Sequence, residues 1–137
     1  MRQTGTIYIV DDDLSVRRAL ERLLRAIGYR VIACASAAEF LALNEIARPA
    51  CLIVDVRMPG MTGFDLQEAL RAAGRSEPII FVTGHGDQAM AARALSAGAI
   101  AMLSKPFDED PLREAIARAF KVDEHRREWN DRPGLTH

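Results

Sequence analysis

The chain has 137 residues, of which 49% are apolar and 27% charged, and its formal net charge is -1 at pH 7. This length fits one globular domain, and the near-neutral charge disfavours a nucleic-acid-binding surface, which usually carries a basic excess. No segment is apolar enough for a membrane span or a signal peptide, and two cysteines, Cys34 and Cys51, are too few for a disulfide scaffold. We therefore expect a cytoplasmic protein with reduced thiols.

Short apolar runs alternate with longer amphipathic stretches along the chain. The runs predict β-strands over 7–10, 29–33, 51–54, 79–82 and 100–103, and the stretches predict helices over 16–27, 36–43, 62–74, 87–97 and from 108 onward. Gly28 is a helix stop, Ser36 with Glu39 predicts a capping box, and Thr62 and Asp108 are predicted N-caps. Three of the strands (IYIV, CLIV, IIFV) lack polar alternation, which is typical of central strands in a parallel sheet.

This fivefold βα alternation predicts an α/β fold with one parallel sheet, helices on both of its faces and right-handed crossovers. Ligands of such folds bind beyond the carboxyl ends of the strands, where the strand order reverses. Acidic residues stand at two of these ends, since Asp11, Asp12 and Asp13 follow the first strand and Asp55 ends the third. Converging carboxylates repel one another, and Mg²⁺, which prefers oxygen ligands and phosphates, would relieve that repulsion.

Two further strand ends carry a hydroxyl and an ammonium. Thr83 ends the fourth strand, and Lys105, one of only two lysines, ends the fifth. With the carboxylates they predict a site where one carboxylate attacks a phosphoryl group whose oxygens contact Thr83 and Lys105. Taken alone, the Asp triplet is more typical of a helix start capped by Asp13, and it is the joint occurrence at four strand ends that favours the site.

The motifs resemble the receiver domain of two-component response regulators over roughly residues 5–121. The segments that carry the resemblance are IVDDD (9–13), LIVDVRMPGMTG (52–63), FVTGHGD (81–87) and LSKPF (103–107). The segments DVRMPGMTG and TGHGD are most similar to those of the FixJ-type subfamily, whose members often carry a DNA-binding domain after the receiver. The resemblance implies the doubly wound, flavodoxin-like (CheY-like) fold with strand order 2-1-3-4-5.

The resemblance also implies residue roles. Asp55 would accept the phosphoryl group from a sensor histidine kinase or a histidine phosphotransfer protein. Asp11 and Asp12 would bind Mg²⁺ together with Asp55 and the backbone carbonyl of Arg57. Thr83 would be the hydroxyl that moves towards the phosphoryl group.

The lysine motif and its surroundings carry further implications. Lys105 would pair with Asp55 at rest and with the phosphoryl group afterwards, and the Lys105–Pro106 bond would be cis. The chain departs from the family at Met102, where an aromatic residue usually turns inward as the threonine moves. Methionine can fill the vacated space but has no ring to act as a latch. His85 is expected to gate the site from the loop after Thr83.

These implications predict residues 1–121 as the receiver and 122–137 as a charged helical extension or linker. Phosphorylation would switch the face of the fourth helix, fifth strand and fifth helix for partner binding or homodimerisation. The chain is predicted not to be an enzyme beyond slow self-dephosphorylation, because Arg57 stands where aspartate-nucleophile phosphohydrolases have a second Asp. It would bind neither nucleic acid nor membrane, and would be either a stand-alone receiver or part of a DNA-binding regulator. The alternative is a docking module that works without phosphorylation.

Overall fold

The computed structural model describes residues 5–84, 88–106 and 108–130, with side chains described as far as residue 126. Five strands and five helices alternate over these ranges. In chain order they are β1 (Thr6–Val10), α1 (Leu14–Ile27), β2 (Arg30–Cys34), α2 (Ala37–Leu41), β3 (Ala50–Asp55), α3 (Gly63–Ala72), β4 (Ile79–Thr83), α4 (Gln88–Ser96), β5 (Ala101–Ser104) and α5 (Glu109–Asn130).

The strands form one parallel sheet in the order β2-β1-β3-β4-β5, as predicted. Every residue of β1 and β4 is buried, which explains why their sequences show no polar alternation. The chain leaves β1 for one edge of the sheet and returns to β3 on the other side of β1, so the strand order reverses between these two strands. In the register of this pair Val10 lies beside Val54, and the residues that follow them therefore emerge side by side.

The two faces of the sheet bury separate apolar clusters. Tyr8 and Phe81 point into the cluster that also contains residues of α2 and α3, whereas Ile7 and Ile9 point into the cluster with α1 and α5. Full burial of each large apolar side chain is worth about 1.5–3 kcal/mol, so these clusters provide most of the stabilisation. Cys34 and Cys51 are buried and free, and burial raises the pKa of the thiol in both.

Several helix ends follow the sequence signals. Asp13 caps α1 by accepting a hydrogen bond from the backbone N–H of Val16 at 3.1 Å, and Gly28 ends that helix with φ +115°. Thr62 and Asp65 exchange side-chain and backbone hydrogen bonds in a complete capping box at the start of α3. The predicted start of α4 at Asp87 lies outside the described residues.

Helix α2 is shorter than predicted, because it ends at Leu41 and not at 43. Ser36 caps it as expected, by accepting from the N–H of Glu39 at 3.1 Å. Beyond the helix, the chain turns so that the N–H of Ala47 donates to the hydroxyl of buried Tyr8 at 2.9 Å. A buried tyrosine hydroxyl needs such a partner, and this requirement is not visible in the local sequence.

Helix α5 continues past residue 121 without a break. Asp123 is fully buried, and its two carboxylate oxygens accept from the guanidinium of Arg48 at 2.8 Å and from the backbone N–H of Ala50 at 2.8 Å. Arg48 also contacts buried Glu77 at 3.1 Å, and Arg126 donates to the carbonyl of Ser76 at 2.6 Å. We propose that the folded unit therefore extends at least to Arg126.

We predict that Asp123→Ala lowers the free energy of unfolding by about 2–4 kcal/mol, because it leaves a buried N–H unsatisfied and removes one partner of Arg48. Urea unfolding followed by circular dichroism measures the change. Glu124→Ala, at the exposed neighbouring position, is the matched control and should shift stability by less than about 0.5 kcal/mol. Equal effects of the two substitutions would contradict an anchoring role for Asp123.

Candidate functional site

Three carboxylates meet at the carboxyl ends of β1 and β3, as the sequence predicts. One carboxylate oxygen from each of Asp11, Asp12 and Asp55 lies within 4.8 Å of the other two. The parallel register causes this convergence, because Asp11 follows Val10 and Asp55 follows Val54 in neighbouring strands. Asp11 is buried, Asp55 is half-buried and Asp12 is exposed, so the cluster opens to solvent on one side.

Asp11 has one carboxylate oxygen that is buried without a hydrogen-bond donor. Its Oδ1 accepts from the backbone N–H of Asp13 at 2.9 Å, while its buried Oδ2 accepts no hydrogen bond. Burial raises the pKa of Asp11, and the charge of Asp55 adds to this effect, whereas the Asp13 N–H and Lys105 act in the opposite direction. A buried carboxylate oxygen without a donor, beside two other carboxylates, fits a hard divalent cation such as Mg²⁺.

Asp55 is held by the loop that follows it. The backbone N–H of Arg57 donates to its Oδ1 at 3.0 Å, which leaves Oδ2 as the less constrained oxygen. Gly63 has no side chain, and this allows the end of the loop to approach β3 closely. A Cβ atom at this position would lie 2.7 Å from the carbonyl oxygen of Asp55. The predicted role of the Arg57 carbonyl as a metal ligand stays a prediction.

Thr83 and Lys105 lie at adjacent strand ends. Thr83 is fully buried, and its carbonyl accepts from the backbone N–H of Lys105 at 2.8 Å. The Lys105 ammonium lies 3.8 Å from Oδ2 of Asp11. The sequence predicts Asp55 as its resting partner, but among the ion pairs of the described residues Lys105 pairs with Asp11. The physical reason is that the Asp11 oxygen is buried and has no donor, so it gains more from a nearby cation.

The Lys105–Pro106 bond is cis, as predicted, and Arg48–Pro49 is a second cis bond that was not predicted. Met102 is partly buried and packs against the core cluster that contains Tyr8 and Phe81. His85, the predicted gate, lies outside the described residues.

Sequence reasoning missed Arg17, whose guanidinium donates to the backbone carbonyl of Asp11 at 2.7 Å. The contact fixes the loop between β1 and α1 from the first turns of that helix. Arg17 lies one turn after the N-cap Asp13, but α1 carries several arginines and their spacing alone does not single it out.

The chain is similar in sequence to known response regulators. A sequence profile of the response regulator receiver domain matches residues 7–117. The response regulator protein TmoT of Ectopseudomonas mendocina is 50% identical over 122 residues, which are 88% of this chain and 54% of TmoT. The chain thus spans about half the length of the curated relatives it matches.

Solved structures agree with this result. The structure of response regulator StyR is 43% identical, with a TM-score of 0.85, and the match covers 94% of this chain and 65% of StyR. The crystal structure of FixJ-N is 40% identical, with a TM-score of 0.80, and the match covers 87% of this chain and 95% of FixJ-N. Separately, none of the helices in the described ranges is long and apolar enough to cross a membrane.

We predict that Mg²⁺ stabilises the protein through the acidic cluster. At about ten times its dissociation constant, a ligand that binds only the folded state adds about 1.4 kcal/mol to the free energy of unfolding. Asp11→Asn should abolish this gain and should itself be about 1–2 kcal/mol more stable than wild type in EDTA, because it removes a buried charge that lacks a donor. Thermal unfolding with Mg²⁺ and with EDTA measures both effects.

The matched control is Glu68→Gln, an exposed carboxylate on α3. It should keep the full response to Mg²⁺. A wild-type protein that Mg²⁺ does not stabilise, or an Asp11→Asn variant that responds like wild type, would contradict a metal site at these residues.

Proposed function

The chain belongs to the response regulator receiver family, and from this premise we propose that it accepts a phosphoryl group on Asp55 in a Mg²⁺-dependent reaction. Members of this family are signalling switches that take phosphoryl groups from sensor kinases. The observation that supports the proposal is the convergence of three carboxylate oxygens within 4.8 Å at the ends of β1 and β3, with the Lys105 ammonium beside them.

The residues suggest how the transfer would proceed. Oδ1 of Asp55 is engaged by the Arg57 N–H, so Oδ2 is the oxygen that attacks phosphorus. The new P–O bond forms as the P–N bond to the donor histidine breaks, and the electron pair of that bond stays on the imidazole nitrogen. Asp11, Asp12, Asp55 and the carbonyl of Arg57 would hold Mg²⁺. When bound, the ion would neutralise the carboxylates and the phosphoryl oxygens.

Lys105 would supply the second positive charge. Its ammonium needs only to move from Asp11, at 3.8 Å, towards the new phosphoryl group in the same crevice. A phosphoryl group adds charge and strong acceptor oxygens, which favour a contact with an ammonium and with the hydroxyl of Thr83. The bond between the Lys105 N–H and the Thr83 carbonyl joins these two residues through their backbones.

Thr83 and Lys105 stand directly before α4 and α5, and these helices would carry the response. We propose that the face of α4, β5 and α5 then binds a partner or a second copy of the chain. Leu95 of α4 is half-exposed and offers an apolar contact. The donor would be a sensor histidine kinase or a histidine phosphotransfer protein, and only slow self-dephosphorylation is proposed, since Arg57 offers no acid for turnover.

The matched residues make up only 54% of TmoT and 53% of TodT, so we propose that the output of those relatives lies outside the region they share with this chain. Direct nucleic-acid binding by these residues is not part of the proposal, because the net charge is -1. The reduced, cytoplasmic setting stays a prediction.

We predict that incubation with acetyl phosphate and Mg²⁺ adds the mass of one phosphoryl group, as measured by intact-mass spectrometry. EDTA and Asp55→Asn should each abolish the adduct, because the first removes the metal and the second the nucleophile. Asp110→Asn, an exposed aspartate at the start of α5, is the matched control and should be phosphorylated like wild type.

Phosphorylation that persists in Asp55→Asn would show that another residue is the acceptor. A folded wild-type protein that takes no phosphoryl group and binds no beryllofluoride would contradict the proposal. That result would favour the docking module that works without phosphorylation.

A further inference from the structure

Helix α4 buries little of its surface against the rest of the protein. Of its nine residues, Ala94 alone is buried. An open surface pocket of about 520 Å³ lies between α4, α3 and the loop that precedes α3, and its lining includes Met58, Phe64, Met90 and Arg93. A helix beside open space can shift without first displacing close-packed side chains.

One stacked contact crosses from α3 to α4 beside this pocket. The guanidinium carbon of Arg93 lies 4.4 Å from the centroid of the Phe64 ring, within the range of a cation–π interaction. Phe64 also packs against Phe81, with ring centroids 5.0 Å apart and an interplanar angle of 59°. Phe81 belongs to β4 and lies two residues before Thr83, so the contacts run from β4 through α3 to α4.

The position of this stack matters because Met102 stands where related receivers usually have an aromatic residue. Met102 is the register partner of Phe81 in β5 and packs against the same cluster. A methionine has many accessible rotamers, so it holds a neighbouring helix less firmly than a ring does. Phe81 and Phe64 contact each other and belong to this same cluster.

We propose that Arg93, stacked on Phe64, is a positioning residue that holds α4 in its unphosphorylated position, so that loss of the stack eases the movement of α4. The inference rests on the proposed phosphorylation of Asp55. The contact is suited to such a role, because a partly exposed cation–π pair is weak enough to break on activation. The charge of Arg93 also acts on Asp65: the pKa of Asp65 is lowered mainly by its hydrogen bonds with Thr62, and Arg93 lowers it further.

The far end of α4 has a separate attachment. The side-chain amide of Gln67 donates to the carbonyl of Ala97 at 3.3 Å, just after the last residue of the helix. This bond does not involve Arg93 and remains when the stack is lost. The movement should therefore be greatest at the beginning of α4, which is the end nearer to Thr83.

Titration calorimetry with beryllofluoride and Mg²⁺ tests the inference, because this phosphoryl analogue should bind the activated arrangement more tightly. A variant in which the unphosphorylated arrangement is less stable then shows a higher apparent affinity for beryllofluoride. Arg93→Ala and Phe64→Leu should each raise the affinity about two- to fivefold. The gain of the double variant should be smaller than the product of the two single gains, since both substitutions remove the same stack. Arg71→Ala, an exposed arginine on α3, should bind like wild type.

A second measurement does not depend on the analogue. Amide hydrogen exchange over residues 88–96 should be faster in Arg93→Ala than in wild type, with exchange in the sheet unchanged. Unchanged or weaker beryllofluoride binding by Arg93→Ala, or gains that multiply in the double variant, would overturn the inference alone. A wild-type chain that binds no beryllofluoride would overturn the proposed function and this inference with it.

Discussion

The parallel pairing of β1 with β3 is the constraint on which the rest of the site depends. It places Asp11, directly after β1, beside Asp55 at the end of β3. A flexible loop would not hold the two carboxylates in these positions. Carboxylates placed this close repel one another, and the burial of Asp11 further disfavours its charged form. Lys105, the N–H groups of Asp13 and Arg57, and the proposed cation each offset part of that repulsion.

The features that the sequence predicts well are local or repeat along the chain. The strands lie within one residue of their predicted ends because each apolar run coincides with a strand of the sheet. The acidic cluster was predictable because strand ends in a parallel sheet must share one edge. The N-caps at Asp13 and Thr62 were predictable because a cap depends on a side chain and a backbone N–H only three residues apart.

The features that sequence reasoning missed join residues far apart in the chain. Asp123 and Arg48 are 75 positions apart, and the stack of Phe64 on Arg93 depends on how two helices pack. The partner of Lys105 also differs from the prediction, since the choice between Asp11 and Asp55 depends on which oxygen is buried without a donor. Burial of single atoms follows from the complete packing and has no local sequence signature.

The backbone hydrogen bond from Lys105 to Thr83 bears on whether the response of one molecule is graded or all-or-none. Because β4 and β5 are paired in register up to Thr83 and Ser104, the backbones that carry the Thr83 hydroxyl and the Lys105 ammonium are joined to each other. We expect the two side chains to respond together to the phosphoryl group, so that each molecule is either switched or not. The strength of a stimulus would then be encoded in the number of switched molecules, and not in how far each molecule has changed.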